Sequence, residues 1–156
     1  MKPATISQLK NELKHKSQQE TLDLCLKLAR FKKENKELLS YLLFEEHNEL
    51  GYIKEIKEEI DTEFANINRT SYYYVKKSVR KIQRNIRKYI RFSKKKETEV
   101  ELFIYFCKKL RAMKPPINDN IALMNLYYKQ VNSIKKTIRT LHEDLQLDYE
   151  TEIGKL

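Results

Sequence analysis

Glycine, proline, tryptophan and cysteine are scarce in this chain, whose 156 residues include two Gly, three Pro, no Trp and two Cys. Phosphate-binding loops and dinucleotide-binding fingerprints need several Gly at fixed spacing, so the sequence excludes both kinds of site. The Asn-Gly and Asp-Gly turns typical of β-hairpins are also missing. The composition therefore argues against loop-type nucleotide sites and against hairpin-rich β folds.

Long apolar segments are missing as well. The longest uninterrupted one, Leu102–Cys107, is far shorter than the ~20 residues that span a bilayer. The first residues, "MKPATISQLK", contain no apolar segment of the kind found in secretory signals. Cys25 and Cys107 form no CxxC pair and lie in apolar helical settings, which is typical of buried free thiols in a reducing compartment. We therefore expect a cytoplasmic protein that does not enter the membrane.

Catalytic and metal-binding patterns are absent from the sequence. His15, His47 and His142 are scattered, and no pair of them has metal-ligand spacing. No Ser lies in a nucleophile elbow. In a helix, His47 would point about 200° away from both Glu45 and Glu49, so these side chains would share no face. The sequence therefore predicts no enzyme, no cofactor and no small-molecule substrate.

Apolar residues recur at helical spacing along most of the chain. Thr5 with Gln8 predicts a capping box at the start of a first helix. The apolar residues of segment 20–31 lie on several sides of a helix, so we expect that helix to be buried on most sides. The pattern predicts an all-α single domain over residues 1–156, with six to seven helices as antiparallel hairpins in an irregular bundle. HEAT-like stacking is an alternative arrangement, and the tail after Asp148 is expected to fray.

Two later segments predict particular helices. Residues 100–110 are apolar nearly all round, which is typical of a central helix, and Lys114–Pro116 should stop it. A long final helix is expected over 121–145, because its apolar residues follow an almost heptad spacing that could also support a homo-oligomer. These residues are Ile121, Met124, Tyr128, Val131, Ile134, Ile138, Leu141 and Leu145.

The formal net charge of +10 arises from one segment of the chain. Residues 64–96 contain 12 basic and no acidic side chains. Residues 1–63 contain 11 basic and 13 acidic side chains, and residues 97–156 contain 9 of each. The whole excess of positive charge therefore belongs to the segment 64–96.

Segment 75–96 is expected to form one two-sided helix. Its apolar residues share a face that should dock on the core, and seven basic residues form a stripe about 100° wide on the other face. Like charges four residues apart destabilise a helix by ~0.2–0.5 kcal/mol each, so six such pairs would cost about 1–3 kcal/mol at low salt. The seven basic residues are Lys77, Arg80, Lys81, Arg84, Lys88, Arg91 and Lys95.

Two interpretations of this stripe compete. In the first, the acidic segment Glu45–Glu63 forms an antiparallel hairpin with the basic helix and neutralises its flanks. In the second, the stripe binds RNA or DNA, because such a stripe is the electrostatic footprint of nucleic-acid binding. Tyr72, Tyr73 and Tyr74 are then candidates for stacking on single-stranded bases.

The sequence thus favours a non-enzymatic interaction module for a macromolecular partner, with the basic helix 75–96 as its contact surface. The partner could be another protein or a nucleic acid, and a purely structural or oligomeric role is a further alternative. A membrane surface is not expected, because the apolar face of the helix is needed by the core.

The segment "IQRNIRKYIR" is similar to an incomplete IQ motif, the helix that calmodulin-type proteins grip. Ile82, Gln83 and Arg87 match the motif. Lys88 replaces the usual Gly, and the final basic residue, Arg91, comes one position early. Binding of a calmodulin-type protein is therefore a weaker alternative.

Three stretches resemble an uncharacterised family of small all-helical bacterial proteins. They are "TISQLKNELKHKSQQETLDLCLKLARFKKENKELLSYLLFEEH", "RKYIRFSKKKETEVELFIYFCKKL" and "LHEDLQLDYE". The resemblance covers most of residues 4–150. It implies an all-helical fold and a cytoplasmic bacterial setting, and it supplies no activity and no site residues.

Overall fold

The computed structural model describes every residue of the chain, 1–156, and its helices confirm the all-α fold class. Eight α-helices are present, one more than the upper end of the predicted range. A π-helical segment, Tyr41–Glu45, follows α3, and a 3₁₀ turn, Ile117–Asp119, precedes α7. The helices are α1 (Ile6–Lys14), α2 (Gln18–Phe31), α3 (Lys33–Ser40), α4 (Glu49–Ala65), α5 (Tyr72–Ser93), α6 (Lys96–Ala112), α7 (Ile121–Ile138) and α8 (Glu143–Gly154).

The chain forms two compact units, Met1–Phe44 and Glu45–Leu156. The first contains α1 to α3, and the second contains α4 to α8. Almost all buried side chains belong to the second unit, so the hydrophobic core of the protein lies there. The prediction of one domain over residues 1–156 stays a prediction.

The first unit begins with the expected helix caps. Thr5 and Gln8 form the predicted capping box, in which the Gln8 backbone N–H donates to the Thr5 hydroxyl across 3.3 Å. The Asn35 amide donates to the Leu28 carbonyl across 2.8 Å and links the end of α2 to α3. No residue of α2 is buried, so the expectation that segment 20–31 is buried on most sides is wrong within this chain. Its main neighbour is α3, and one helix covers only one side of another.

The second unit is built around α6, which packs against α4, α5, α7 and α8. This confirms the prediction of a central helix over residues 100–110. The Phe106 side chain is fully buried, and its ring lies 5.8 Å from that of Phe64 and 6.4 Å from that of Phe103. The helix ends at Ala112, just before the predicted stop at Lys114–Pro116.

The acidic helix α4 and the basic helix α5 form an antiparallel hairpin, as the first interpretation of the basic stripe assumes. The Tyr89 hydroxyl donates to the Glu59 carboxylate across 2.8 Å. One turn earlier in α5 and one turn later in α4, the Asn85 amide donates to the Glu63 carboxylate across 2.9 Å. The register of these two bonds places the start of α4 beside the end of α5.

The predicted long helix over 121–145 is wrong, because α7 ends at Ile138 and α8 begins at Glu143. Ile121 and Tyr128 of the expected seam are exposed. The face of α7 that packs in the core is rotated relative to the expected one. Self-association through 121–145 stays a prediction. The buried residues of α7 are Leu123, Tyr127, Gln130, Ile134 and Ile138.

The end of the chain is helical rather than frayed. Helix α8 continues to Gly154, and the Glu152 carboxylate forms ion pairs with Lys108 on α6 at 2.5 Å and with Lys155 at 2.9 Å. The Tyr127 hydroxyl also donates to the Leu156 carbonyl across 3.1 Å. These contacts hold α8 and the terminal residues against α6 and α7.

The docking of α8 is expected to weaken in acid. Hydrogen bonds from Lys108 and Lys155, together with their positive charges, lower the pKa of Glu152 to about 2. A depressed folded-state pKa stabilises the fold above the unfolded pKa of ~4.3, and this stabilisation is lost as the pH falls toward 2. The protection factors of the α8 amides, which compare their exchange rates with those of unstructured amides at the same pH, should fall more between pH 5 and pH 2 in the native chain than in a Glu152→Gln variant. An equal fall of the protection factors in the two proteins would contradict this.

Candidate functional site

The basic helix is shorter at its C-terminal end than the sequence predicts. Helix α5 ends at Ser93 because Lys94 adopts a left-handed conformation with φ of 58°, and Lys95 caps the start of α6. The expectation of one continuous helix over 75–96 is therefore corrected. Its apolar face is confirmed, because Val75, Val79, Ile82 and Ile86 are buried in the core, together with Phe92. Ile90 is half-buried.

The opposite face of α5 presents six of the seven predicted basic residues. We call Lys77, Arg80, Lys81, Arg84, Lys88 and Arg91 the cationic face. Lys88 is half-buried, and the other five are exposed. Lys77, Arg80, Lys81 and Arg84 form no ion pair and no hydrogen bond with the rest of the chain. The N-terminal part of this face is therefore open to an external anion.

The carboxylates of the acidic helix α4 reach only one edge of α5. Glu59 and Glu63 accept hydrogen bonds from Tyr89 and Asn85, which lie between the apolar and cationic faces. Burial raises the pKa of Glu63, with a further contribution from Glu59, while Asn85 and the charges of Lys81 and Lys88 oppose the rise. The internal pairing considered from the sequence thus reaches the flank of the helix and leaves Lys77, Arg80 and Arg84 uncovered.

Lys95 has a structural environment different from that of the cationic face. Its ammonium lies 3.0 Å from the Glu49 carboxylate at the start of α4. The same carboxylate accepts hydrogen bonds from the hydroxyls of Ser93 and Thr98, and Thr98 is fully buried. Glu49 therefore ties the turn between α5 and α6 to α4. Lys95 belongs to this tie, and its assignment to the basic stripe is corrected.

The three candidate stacking tyrosines lie in the first turn of α5 rather than before it. The Tyr72 hydroxyl donates to the Pro116 carbonyl across 2.7 Å, so this side chain serves as a tertiary contact. Tyr73 and Tyr74 are 65% and 45% exposed, and their ring centroids are 5.2 Å apart in an edge-to-face arrangement. At 100° per residue, Tyr73 lies in line with Arg80 and Arg84 on the cationic face.

The residues of the incomplete IQ motif are occupied within the fold. Ile82 and Ile86 are buried in the core, and the Gln83 amide donates to the Gln130 side chain across 2.8 Å. A calmodulin-type protein would have to extract these side chains from the core before it could grip the helix. The structure therefore removes the support for this alternative.

A second polar cluster joins α4 to α6. The Tyr105 hydroxyl donates to Asp61 across 2.7 Å, and the Lys109 ammonium lies 2.6 Å from the same carboxylate. Burial and the hydrogen bond to Asp61 raise the pKa of Tyr105, while the hydrogen bond to Asp61 raises that of Lys109. Both groups are thus held in their protonated forms, and the cluster acts as an interhelical tie.

The described residues contain no group of three or more His, Cys, Asp or Glu that could hold a metal ion. No helix is both long and apolar enough to cross a membrane.

The feature that sequence reasoning missed is the uncovered apolar surface of α2 and α3. Its sequence signal was the unusually broad apolar arc of α2, which was interpreted as a sign of burial.

No known family model matches the chain, and neither a curated protein nor a solved structure does so. This result is consistent with the resemblance to an uncharacterised family.

Proposed function

We propose that this chain is a non-enzymatic interaction module that binds single-stranded nucleic acid through the cationic face of α5. The observation that carries the proposal is the set of four basic side chains on this face, Lys77, Arg80, Lys81 and Arg84, that have no ion-pair partner in the fold. Basic side chains on one helical face attract a phosphate backbone and release its counterions on binding.

The geometry of the face suits an extended polyanion. Together with Tyr73, which lies in line with it, the face extends from Tyr73 to Arg91, about 27 Å along the helix at 1.5 Å per residue. Its charges repel one another within the helix, at ~0.2–0.5 kcal/mol for each pair four residues apart. An anion that runs along the helix would relieve this repulsion, whereas the carboxylates of α4 act only at one edge.

The exposed tyrosines favour a single strand over a duplex. Bases in a single strand can stack on aromatic side chains, and each such stack is worth ~1–3 kcal/mol. Tyr73 is the more exposed of the two and lies on the same side of α5 as Arg80 and Arg84. It could therefore hold a base while the arginines contact the neighbouring phosphates.

Charge reversal at Lys77, Arg80 and Arg84 tests the proposal. The triple variant Lys77→Glu, Arg80→Glu, Arg84→Glu should weaken binding of a labelled single-stranded RNA or DNA roughly 100-fold in fluorescence anisotropy at low salt. Native binding should weaken by about 50-fold between 50 and 200 mM salt if four phosphate contacts are made, from the slope of −0.7 per contact. Both effects come from the loss or screening of the same charges.

The variant should remain folded, because none of the three side chains has a partner in the chain. Three of the four like-charged pairs at i,i+4 that involve them become opposite-charged pairs, so the melting temperature should not fall. The matched control reverses three exposed lysines of α7, Lys129, Lys135 and Lys136, which also have no ion pair. The control should retain most of the affinity.

Equal losses of affinity in the two triple variants would show that only net charge matters and would contradict a site on α5. An affinity of the native protein that does not change with salt concentration would also contradict it. Tyr73→Ala should lower the affinity for single-stranded RNA by about 5- to 100-fold, because the RNA has bases that stack on the ring. The affinity for heparin, a polyanion without bases, should not change. If both ligands respond equally, nucleic acid is not the specific partner.

A further inference from the structure

The first unit exposes nearly all of its apolar side chains. None of α1, α2 and α3 contains a buried residue. Isolated helices of this length are marginal in water, and most helical stability in proteins comes from packing of an apolar face. The exposed large apolar residues of the unit, beyond Met1, are Ile6, Leu9, Leu13, Leu22, Leu24, Leu26, Leu28, Phe31, Leu38, Leu42, Leu43 and Phe44.

Open grooves lie between α2 and α3. One of about 540 Å³ includes Arg30, Lys33 and Lys36 in its lining, and two further grooves share Cys25. One open groove of about 810 Å³ is lined on its apolar side by Leu22, Cys25, Leu26, Leu39 and Leu43. The other, of about 310 Å³, is lined by Cys25, Leu28, Ala29, Leu38, Leu39 and Leu42, with Asn35 at its edge. Each groove lies between two helices, which is the shape that receives a third helix in a bundle.

The area of this surface is sufficient for a stable interface. From the exposed fractions, the nine of these side chains that lie in residues 18–44 present on the order of 1,000 Å² to solvent. A standard protein–protein interface buries about 800 Å² on each partner. Exposed apolar patches larger than a few hundred Å² are rare on monomers and mark sites of association.

The charges of the hairpin favour a second copy of the chain as the occupant. The polar side chains of α2 include two acidic residues, Glu20 and Asp23, and two basic ones, Lys27 and Arg30. Helix α3 likewise has two of each sign. With Lys32 between the helices, residues 18–40 contain five basic and four acidic side chains, so two identical hairpins meet with little net repulsion. An anionic lipid surface prefers a helix whose polar face is rich in Lys and Arg.

We infer that this chain is a homodimer in which the α2–α3 hairpins of two copies pack together as a four-helix bundle. Each copy supplies grooves between its helices and also exposed apolar side chains, such as Leu28 and Phe31, that can pack against the other copy. Such a contact is isologous, so both copies use the same surface of the hairpin.

Sedimentation equilibrium of the full chain tests the inference. The native protein should sediment at twice the monomer mass of 18.9 kDa at micromolar concentration. The double variant Leu28→Glu, Leu43→Glu places a charge in each groove at side chains that are both 61% exposed within one copy. Its dimer dissociation constant should rise roughly 100-fold. Lys27→Glu changes the net charge by the same amount on the polar side of α2 and should leave the dimer intact.

Thiol reactivity gives a second readout that does not depend on folding of the variant. Cys25 lines two of these grooves, whereas Cys107 is fully buried and burial raises its pKa to about 12. Reaction of the native protein with a thiol reagent therefore reports Cys25. Its rate per molecule should fall as the protein concentration rises, because the dimer covers the grooves.

Three outcomes would overturn the inference. The first is a native protein that stays monomeric up to about 100 μM, far above the dissociation constants of stable dimers. The second is a dimer that survives the double variant, which would place the interface elsewhere, for example on 121–145. The third is a monomer that sediments with anionic lipid vesicles through the hairpin, which would assign the surface to lipid.

Discussion

Replacing Phe106 by alanine is expected to lower the free energy of unfolding of the second unit by about 3–5 kcal/mol, as is usual for a buried phenylalanine. The side chain is 0% exposed and lies in the middle of α6, the helix that contacts four others. Its ring is packed against Phe64 and Phe103. The surrounding helices are fixed by these rings and by interhelical ties, so the cavity would collapse only in part. Urea unfolding followed by circular dichroism would measure the loss.

Two comparisons separate this effect from a general loss of aromatic area. Phe106→Leu keeps most of the volume and should cost less than half as much as the alanine substitution. Tyr73→Ala removes an aromatic ring that is 65% exposed and should change stability by less than about 0.5 kcal/mol. If Phe106→Ala cost no more than Tyr73→Ala, the assignment of α6 as the centre of the core would be wrong.

Replacing Glu49 by alanine is expected to cost about 2–4 kcal/mol, because its carboxylate satisfies several partners at once. It accepts from the hydroxyls of Ser93 and Thr98 and pairs with Lys95. The Thr98 hydroxyl is fully buried, and losing its acceptor would leave only a 3.4 Å contact with Ser93. A buried polar group without a partner costs ~1–3 kcal/mol by itself. Urea unfolding again provides the measurement.

Glu49→Gln is the matched control for charge. The amide oxygen can still accept a hydrogen bond from Thr98, while the charge opposite Lys95 is lost, so the cost should be smaller than for alanine. Neither variant should weaken nucleic-acid binding, because the tie lies beyond the end of the cationic face. A large loss of affinity in Glu49→Gln would show that Lys95 has to be held in place for binding.

The basic helix shows how far apolar spacing predicts packing. The spacing of Val75, Val79, Ile82 and Ile86 identified the buried face, and all four are in the core. The end of the helix was not predictable in the same way. Left-handed helix termini usually use Gly, which the sequence signals clearly, whereas here a lysine, Lys94, takes that conformation. The turn around Lys94 is tied to Glu49 through Ser93, Lys95 and Thr98, and these contacts join residues far apart in the chain.

Helix α7 shows where apolar spacing is ambiguous. Two sets of residues in 121–138 recur at helical spacing, one starting at Ile121 and one at Leu123, and both are largely apolar. The second set faces the core and the first is partly exposed. The choice between them depends on contacts with α6 and on the hydrogen bond between Gln83 and Gln130. A periodicity within one helix contains no information about either contact.

The sequence by itself determined that the chain is helical, where the central helix lies and which face of α5 is charged. These properties follow from residue spacing within single segments, which fixes the side of a helix on which each side chain emerges. Only the tertiary structure decided which charges are neutralised and which apolar faces are covered. Glu59 and Glu63 accept hydrogen bonds from neutral side chains of α5, and Glu49 forms an ion pair with Lys95. The leucines of α2 and α3 named above are exposed. Burial and ion pairing are relations between distant segments, and a helical pattern describes only one segment at a time.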